Sequence, residues 1–283
     1  LIEDNSKCSL PQMLSTERPD KAANHLLSGR VVVIVNGSPY VLIMPCVFVD
    51  FLSSAEDPNL KFQYANLLKF VRLVAFFITL LLPGLYVAIT NFHQEIIPTE
   101  LLFAIVASRE SVPFPIIVEI LAMEISFELI REASLRVPSP IGTTIGIIGA
   151  LILGQAAVEA SIVSPILIII VAITGITSFA IPDFYLSFHL RIVRFLYIIA
   201  GFLAGFLGIG IVLFSHLVLL CSLKSFGVSY LAPFVPATSK NNKAYFMPPF
   251  WNREKRPDFL NTKRPQKEAR ISMKWKYKIG GNN

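Results

Sequence analysis

The sequence predicts an α-helical integral membrane protein with four, or on another count five, transmembrane helices, preceded by the end of a cytosolic α/β domain. Of the 283 residues, 54% are hydrophobic and only 16% are charged, and the mean hydropathy is +0.62. An ordinary soluble domain is about 25% charged. The apolar excess lies between Phe70 and Leu223, while both ends of the chain are polar. This distribution is typical of a helical bundle in a bilayer.

Four apolar segments are taken as spans, because a helix needs about 20 apolar residues to cross the hydrocarbon. They are residues 70–90, 141–160, 165–181 and 192–223. A fifth segment, residues 113–131, carries several glutamates, and charged side chains are costly at the centre of a lipid-facing helix. We therefore prefer four spans and expect this glutamate-bearing helix to be interfacial or re-entrant.

The distribution of charge orients the predicted spans. Residues 237–283 contain 12 lysines and arginines against 3 acidic residues, and such cationic segments tend to stay on the cytosolic side. With four spans, both termini are therefore expected in the cytosol. Nucleic-acid binding is the rival interpretation of a basic tail, but no recognised motif organises its aromatic residues. We expect the tail to meet the lipid bilayer and no nucleic acid.

The N-terminal residues have the pattern of a soluble β-hairpin. Val31–Val35 and Tyr40–Ile43 read as strands, and Asn36-Gly37 between them is a turn signal. Because the chain starts at Leu1 and shows no signal sequence, we expect a larger soluble portion to precede it. The expected divisions are the C-terminal part of a cytosolic α/β domain, a helical membrane domain and a disordered basic cytosolic tail, at residues 1–60, 61–236 and 237–283.

The segment 141–160 has two different faces when it is projected at about 100° per residue. One face is small and would let another helix approach closely; it includes Gly142, Gly146 and Gly149. The opposite stripe has hydrophilic groups at both ends and apolar groups between them, as a pore lining would if several copies surrounded an axis. The alternative is that the hydrophilic groups merely end the helix at the headgroups. The candidate pore-lining residues are Thr144, Ile148, Leu151, Gln155 and Glu159.

The glutamate-bearing helix supplies a second set of candidate residues. Glu124, Glu128 and Glu132 fall within a sector of about 80° on a helical wheel. Like charges four residues apart disfavour an isolated helix, so cationic partners on neighbouring helices would explain them better. The alternative is a solvated face with local pairs such as Glu128 with Arg131. The candidate residues for an ion vestibule or for coupling between helices are Glu119, Glu124, Glu128, Glu132 and Arg131.

The remaining chemistry-bearing residues form no recognised site. Cys8, Cys46 and Cys221 lack the spacing of a disulfide framework or a zinc site. The four histidines are scattered and are taken as structural. The sequence contains no nucleophile elbow, P-loop, zinc-protease or dinucleotide-binding fingerprint. We therefore expect no metal, no cofactor and no enzymatic activity.

Several long motifs resemble one known family. They run from Pro113-Phe114-Pro115 to Arg136-Val137-Pro138, from Ile145-Gly146 to Glu159-Ala160, from Gly29-Arg30 to Ser38-Pro39, and from Ser225-Phe226-Gly227 to Pro233-Phe234. Over roughly residues 15–240, the chain resembles the bacterial spore germination receptor A subunits of the GerA type, as an N-terminally truncated fragment.

The resemblance implies a membrane subunit of a nutrient-germinant receptor in the inner membrane of the endospore. It implies a permease-like B subunit and a lipoprotein C subunit as partners, and self-oligomerisation into a ligand-gated cation channel that triggers germination. The alternative function is a permease-like secondary transporter or a nutrient-binding membrane subunit, with broken helices near Pro83-Gly84 and Pro165 forming its site. A third is a scaffold that assembles other subunits and conducts nothing.

Overall fold

A computed structural model describes residues 3–5, 8–136, 149, 152–236, 245–247, 249 and 256–263. The chain forms two compact units. The first unit comprises Leu1–Leu73, Ile181–His189 and His216–Asn283, and the second comprises Val74–Ala180 and Leu190–Ser215. The three-part division expected from the sequence stays a prediction, and most of the expected basic tail lies outside the described residues.

The first unit contains a three-stranded antiparallel sheet, in which β3 (Val41–Met44) lies between β1 (Leu14–Thr16) and β2 (Val31–Ile34). Val31 of β2 pairs with Met44 of β3, and Gly37 in the connecting turn has a φ of 85°, which glycine adopts without strain. The strand-turn-strand prediction is therefore confirmed. The elements are β1 (Leu14–Thr16), α1 (Pro19–Leu27), β2 (Val31–Ile34), β3 (Val41–Met44) and α2 (Phe48–Phe51).

A two-stranded hairpin forms hydrogen bonds to residues beside the strands of this sheet. It consists of β4 (Lys224–Ser225) and β5 (Val228–Ser229). The Ser225 hydroxyl donates to the Gln12 carbonyl at 2.8 Å and accepts from the Cys46 amide at 3.0 Å. Ser225 is fully buried, so losing either bond would leave a polar group unsatisfied at a cost of about 1–3 kcal/mol.

A bidentate ion pair lies beside the sheet. The Arg30 guanidinium donates to both carboxylate oxygens of Asp50, at 2.6 and 2.8 Å, and Asp50 also accepts from the Val47 amide at 2.8 Å. Burial alone would raise the pKa of Asp50, but the charge and hydrogen bonds of Arg30 outweigh it and hold that pKa below 3.8. The pair therefore keeps the turn between β3 and α2 in place.

The second unit consists of helices around an apolar cluster. Ile120, Leu167 and Ile198 are fully buried in this cluster, and each such burial contributes about 1.5–3 kcal/mol. These residues come from α5 (Ile116–Arg136), α7 (Pro165–Phe179) and α8 (Phe184–Ser222), so the cluster packs those three helices together. The helices with residues in the unit are α3 (Phe62–Phe92), α4 (Thr99–Arg109), α5 (Ile116–Arg136), α6 (the described helical residues 152–159), α7 (Pro165–Phe179) and α8 (Phe184–Ser222).

Helix α8 folds back on itself. Its backbone leaves the helical region at Ala204 and at Gly205, where φ is 58°. A Cβ built on Gly208 would overlap the carbonyl oxygen of Ala200. Residues eight apart on a continuous helix are about 12 Å apart. The chain must therefore reverse at Gly205, so that the arms 184–203 and 206–222 run antiparallel.

The predicted number of transmembrane helices is wrong. Among the described residues, two helices are long and apolar enough to cross a membrane, α3 and α8, and these indicate association with a membrane. The segment predicted at 165–181 forms α7, whose 15 residues extend only about 22 Å against roughly 30 Å of hydrocarbon. It ends before Pro182, since the residue preceding a proline disfavours helical backbone.

The other predicted spans differ from the structure for separate reasons. Residues 113–131 fall mostly in α5, whose acidic and basic side chains keep it out of the candidate spans. The segment 192–223 is part of the longer helix α8, which begins at Phe184. Most of the segment 141–160 lies outside the described residues.

Helices α3 and α8 approach each other through two glycines. A Cβ on Gly84 would lie 2.7 Å from the carbonyl oxygen of Tyr197, and one on Gly201 would lie 2.6 Å from the carbonyl oxygen of Gly84. Both distances are shorter than any real Cβ contact. The small side chains at these positions therefore allow backbone-to-backbone packing, as in helix pairs within membranes.

We predict that Gly201→Ala lowers the free energy of unfolding by about 1–3 kcal/mol, because a backbone oxygen cannot rotate away from the added methyl group. Gly210→Ala is the matched control, since in the described part of the chain no atom beyond the glycine's own neighbourhood in the helix lies within 4 Å of a Cβ built there. It should be neutral or slightly stabilising. Denaturation of the purified chain in detergent measures both, and equal stability of the two variants would contradict the close contact.

We also predict that Cys46 resists maleimide in the folded chain, whereas the partly exposed Cys8 reacts. Cys46 is fully buried, and burial followed by the charge of Asp50 raises the pKa of its thiol to about 12. Raising the pH from 7 to 9 should therefore not expose a reactive thiolate. Single-cysteine variants labelled before and after denaturation measure this. Native labelling of Cys46 at the rate of Cys8 would show that the sheet is packed differently.

Candidate functional site

Helix α5 carries a row of glutamates, and the first of them, Glu119, is buried. Its side chain is 0% exposed. One carboxylate oxygen accepts from Arg109 of α4 at 2.9 Å, and the other accepts from the Ser164 amide at 3.1 Å. Ser164 is the residue before α7, so this carboxylate holds the start of that helix and the end of α4.

The second glutamate, Glu124, forms a nearly solvent-free pair with Arg194 of α8. The two charged groups lie 2.8 Å apart, and their side chains are only 2% and 4% exposed. Burial raises the pKa of Glu124 to about 7; Arg194 opposes this shift and Glu128 adds to it. The ionised form of Glu124 therefore depends on Arg194 staying in place.

The third glutamate, Glu128, lies between two arginines. It pairs directly with Arg191 of α8 and, at 3.8 Å, with Arg131 one helical turn further along α5. The Arg131 guanidinium also donates to the Ser178 hydroxyl at 2.7 Å and lies 4.4 Å from the centre of the Phe179 ring. Arg131 thereby attaches the C-terminal half of α5 to the end of α7 through a hydrogen bond and a cation–π contact.

The structure places the candidate residues of this helix as follows. Glu119, Glu124, Glu128 and Arg131 each contact a neighbouring helix or the start of one. Glu132 lies at the surface. Their roles in a vestibule or in coupling stay predictions.

Sequence reasoning missed the cationic partners of these glutamates. Arg191 and Arg194 are spaced i,i+3 on α8, and Glu124 and Glu128 are spaced i,i+4 on α5. Each spacing places two like charges on one helix face. An acidic face on one helix and a basic face on another suggest that the two helices could form ion pairs. Only the fold shows that α5 and α8 are neighbours.

The predicted pore residues are only partly described. Thr144, Ile148 and Leu151, with Gly142 and Gly146 of the small face, lie outside the described residues. Gln155 and Glu159 are exposed and joined by a hydrogen bond of 3.1 Å. A Cβ on Gly149 would lie 3.6 Å from Ile130 of α5. The assignment of these residues to a pore or to a packing face stays a prediction.

The charged side chains of this cluster hold neighbouring helices together by electrostatic attraction. Three carboxylates of one helix are matched by guanidinium groups from α4 and α8; Glu119 and Glu124 are buried, whereas the Glu128 side chain is 33% exposed. Removing one partner would leave a buried charge uncompensated, which costs several kcal/mol. Within the described ranges, no group of three or more histidine, cysteine, aspartate or glutamate side chains could hold a metal ion.

The fold and the charge cluster define an α-helical, membrane-associated protein whose helices are joined by buried ion pairs. Residues 1–259 match the family model described as Bacillus/Clostridium GerA spore germination protein. The chain therefore belongs to this family, as the resemblance in its motifs predicted.

Individual relatives agree with the family match. Spore germination protein KA of Bacillus subtilis (strain 168) is 49% identical over 262 residues, which cover 92% of this chain and 48% of the relative. Spore germination protein GerLA of Bacillus cereus is 42% identical over 265 residues, or 93% of this chain and 54% of the relative. The chain thus spans about half the length of the curated relatives it matches. No solved structure matches the chain.

We predict that Glu124→Leu or Arg194→Leu alone lowers the free energy of unfolding by about 3–5 kcal/mol, because each leaves the other charge buried and unpaired. The double variant should regain most of that loss, since neither charge remains. The exposed Glu110→Leu is the control and should change stability by less than about 0.5 kcal/mol. Denaturation in detergent measures all four variants. Additive losses in the double variant would show that the two side chains do not interact.

Proposed function

We propose that the chain is a membrane subunit of a nutrient-germinant receptor in the spore inner membrane, and that it oligomerises into a ligand-gated cation channel that triggers germination. The observation that carries this proposal is the buried charge cluster of α5 in a chain of the spore germination family. The cluster ties α5 to α8 by ion pairs, and α5 also touches the segment that the sequence singled out as a pore wall.

Helix α6, which is the C-terminal end of the candidate pore segment, has the two different sides expected of a pore wall. Gln155 and Glu159 are exposed, whereas Ala157 on the same short helix is buried in the apolar cluster. One side of α6 therefore packs inside the chain and another side presents hydrophilic groups outward. In an oligomer, a ring of Glu159 carboxylates would attract cations, and the Ile148 and Leu151 positions would form an apolar constriction.

The contacts of α5 supply a route for coupling. Ile130 of α5 lies against Gly149, while Glu124 and Glu128 of the same helix bind arginines of α8. A shift of α5 would have to break buried ion pairs or carry α8 with it. A helix held this way moves between discrete arrangements rather than deforming continuously, as a gate requires.

The family membership supports the proposed assembly. We propose that the partners are a permease-like B subunit, a lipoprotein C subunit and further copies of this chain, that both termini face the cytosol, and that the chain catalyses no reaction. The basic residues of 237–283 would then lie beside anionic headgroups.

A permease-like secondary transporter or nutrient-binding subunit is the second candidate. The observation that favours it is the break at Ala204 and Gly205 in α8, because transporters place substrates at interrupted helices. Saturable binding of a nutrient to this chain without its partners would support the transporter and count against the channel.

We predict that Ile148→Ala or Leu151→Ala causes cation release from spores without nutrient, and that tryptophan at either position blocks release after nutrient addition. A smaller side chain would widen a constriction that gates by dewetting, and a larger one would fill it. Ion-selective electrodes follow the release.

The control is Leu153, which is half-buried and lies about 160° around the helix from Leu151 and about 140° from Ile148. The same substitutions there should leave release unchanged. If no substitution at Ile148 or Leu151 causes leakage or a block, these residues do not line a pore.

A further inference from the structure

A short segment near the C-terminus is bound to the first turns of α3. Residues 245–247 form hydrogen bonds to Asn66 and Lys69, across 176 to 181 positions of sequence. All of these residues belong to the first unit. Asn66 and Lys69 are spaced i,i+3, so they share one face of the helix. The segment Tyr245–Met247 is called the strap below.

The Asn66 side chain binds the backbone of a single strap residue. Its amide nitrogen donates to the Met247 carbonyl oxygen at 3.2 Å, and its amide oxygen accepts from the Met247 N–H at 2.6 Å. A side-chain amide that bonds both backbone groups of one residue takes the place of a paired strand residue. Such bonds recognise a peptide by its main chain, as in binding by strand addition.

Lys69 and Tyr245 form a reciprocal pair beside this contact. The Lys69 ammonium donates to the Tyr245 carbonyl oxygen at 3.1 Å, and the Tyr245 hydroxyl donates to the Lys69 carbonyl oxygen at 2.6 Å. The ammonium also lies 5.8 Å from the centre of the Tyr245 ring, within the range of a cation–π contact. Lys69 is 5% exposed and Tyr245 is 7% exposed. The strap therefore supplies a nearly buried ammonium with a carbonyl and a ring face.

These contacts define what the site selects. Three of the four hydrogen bonds go to strap backbone, and the fourth comes from the tyrosine hydroxyl. Phe246, between the two bound residues, is 48% exposed. The site therefore favours a tyrosine two positions before the residue that Asn66 holds, and it tolerates different side chains at the position between them.

We propose that Asn66 and Lys69 form a peptide-binding site at the start of α3, and that Tyr245–Met247 occupy it as a strap that can be released. The ligand class is a short peptide with a tyrosine two positions before the residue held by Asn66. The chain's own segment fills the site because tethering gives it a high effective concentration. Release uncovers Lys69 and detaches this part of the tail from α3.

Acylation of lysines in the full purified chain in detergent tests whether the strap covers Lys69. We expect Lys69 to react about tenfold faster in Tyr245→Ala and in Asn66→Asp, because each variant removes at least one hydrogen bond of about that strength. The aspartate retains an acceptor for the Met247 N–H but places an oxygen against the Met247 carbonyl. Mass spectrometry of the digested chain measures the rates.

The matched control is Gln63→Asp, at an exposed position on the same helix. It introduces the same charge and should leave Lys69 protected. The exposed Lys61 is the internal reference and should react at one rate in all variants. Wild-type protection of Lys69 in both Tyr245→Ala and Asn66→Asp would overturn the strap.

A labelled peptide with the sequence of residues 243–249 tests the site itself. Fluorescence anisotropy should show saturable binding to the full-length Tyr245→Ala chain, and the bound peptide should restore protection of Lys69. The wild type should bind the peptide about tenfold more weakly or less, because its own strap competes. The same peptide with alanine in place of its tyrosine is the control and should not bind.

Two results of the peptide experiment would overturn the proposal. One is a lack of saturable binding to the Tyr245→Ala chain, and the other is equal binding to that variant and to the wild type. Failure of the receptor proposal would leave both measurements untouched, because neither depends on conduction or on germination.

Discussion

Buried carboxylates on one helix constrain the whole helical unit. Glu119 and Glu124 are each 1% exposed, and an ionised carboxylate removed from water is costly unless a cation and hydrogen bonds replace the lost solvent. Their partners come from α4, from α8 and from the backbone at the start of α7. The contacts of the two glutamates therefore fix the positions of these helices relative to α5. Apolar side chains packed around Ile120 fill the space between the helices.

This constraint gives a physical basis for the coupling between helices that we propose for this chain. Apolar helices can slide past one another at small cost, whereas a buried ion pair is either made or broken. Helix α5 has such pairs on one side and a contact between Ile130 and Gly149 on another. It is thus placed to convert a displacement in one part of the unit into a displacement of the segment that we propose as the pore wall.

The sequence predicted the local patterns better than the long-range ones. The strands around Asn36-Gly37 follow from β-branched residues and turn chemistry, and the glutamate face of α5 follows from helical periodicity. The four-span count failed because hydropathy reports composition but not where a helix ends; α7 ends before Pro182 and is too short to cross, and most of the segment 141–160 lies outside the described residues. The partners Arg191 and Arg194, and the pairing of Lys69 with Tyr245, depend on contacts between residues far apart in sequence, which no local pattern specifies.

Hydrogen–deuterium exchange across α5 tests the central claim most directly. In Arg191→Gln/Arg194→Gln, two glutamates lose their guanidinium partners on α8 while the apolar cluster is unchanged. The account predicts faster amide exchange throughout Ile116–Arg136 than in the wild type, and no change there in Arg18→Gln, whose pair with Asp20 is exposed. Wild-type protection of α5 in the double variant would show that apolar packing alone positions the helix, and would contradict the account.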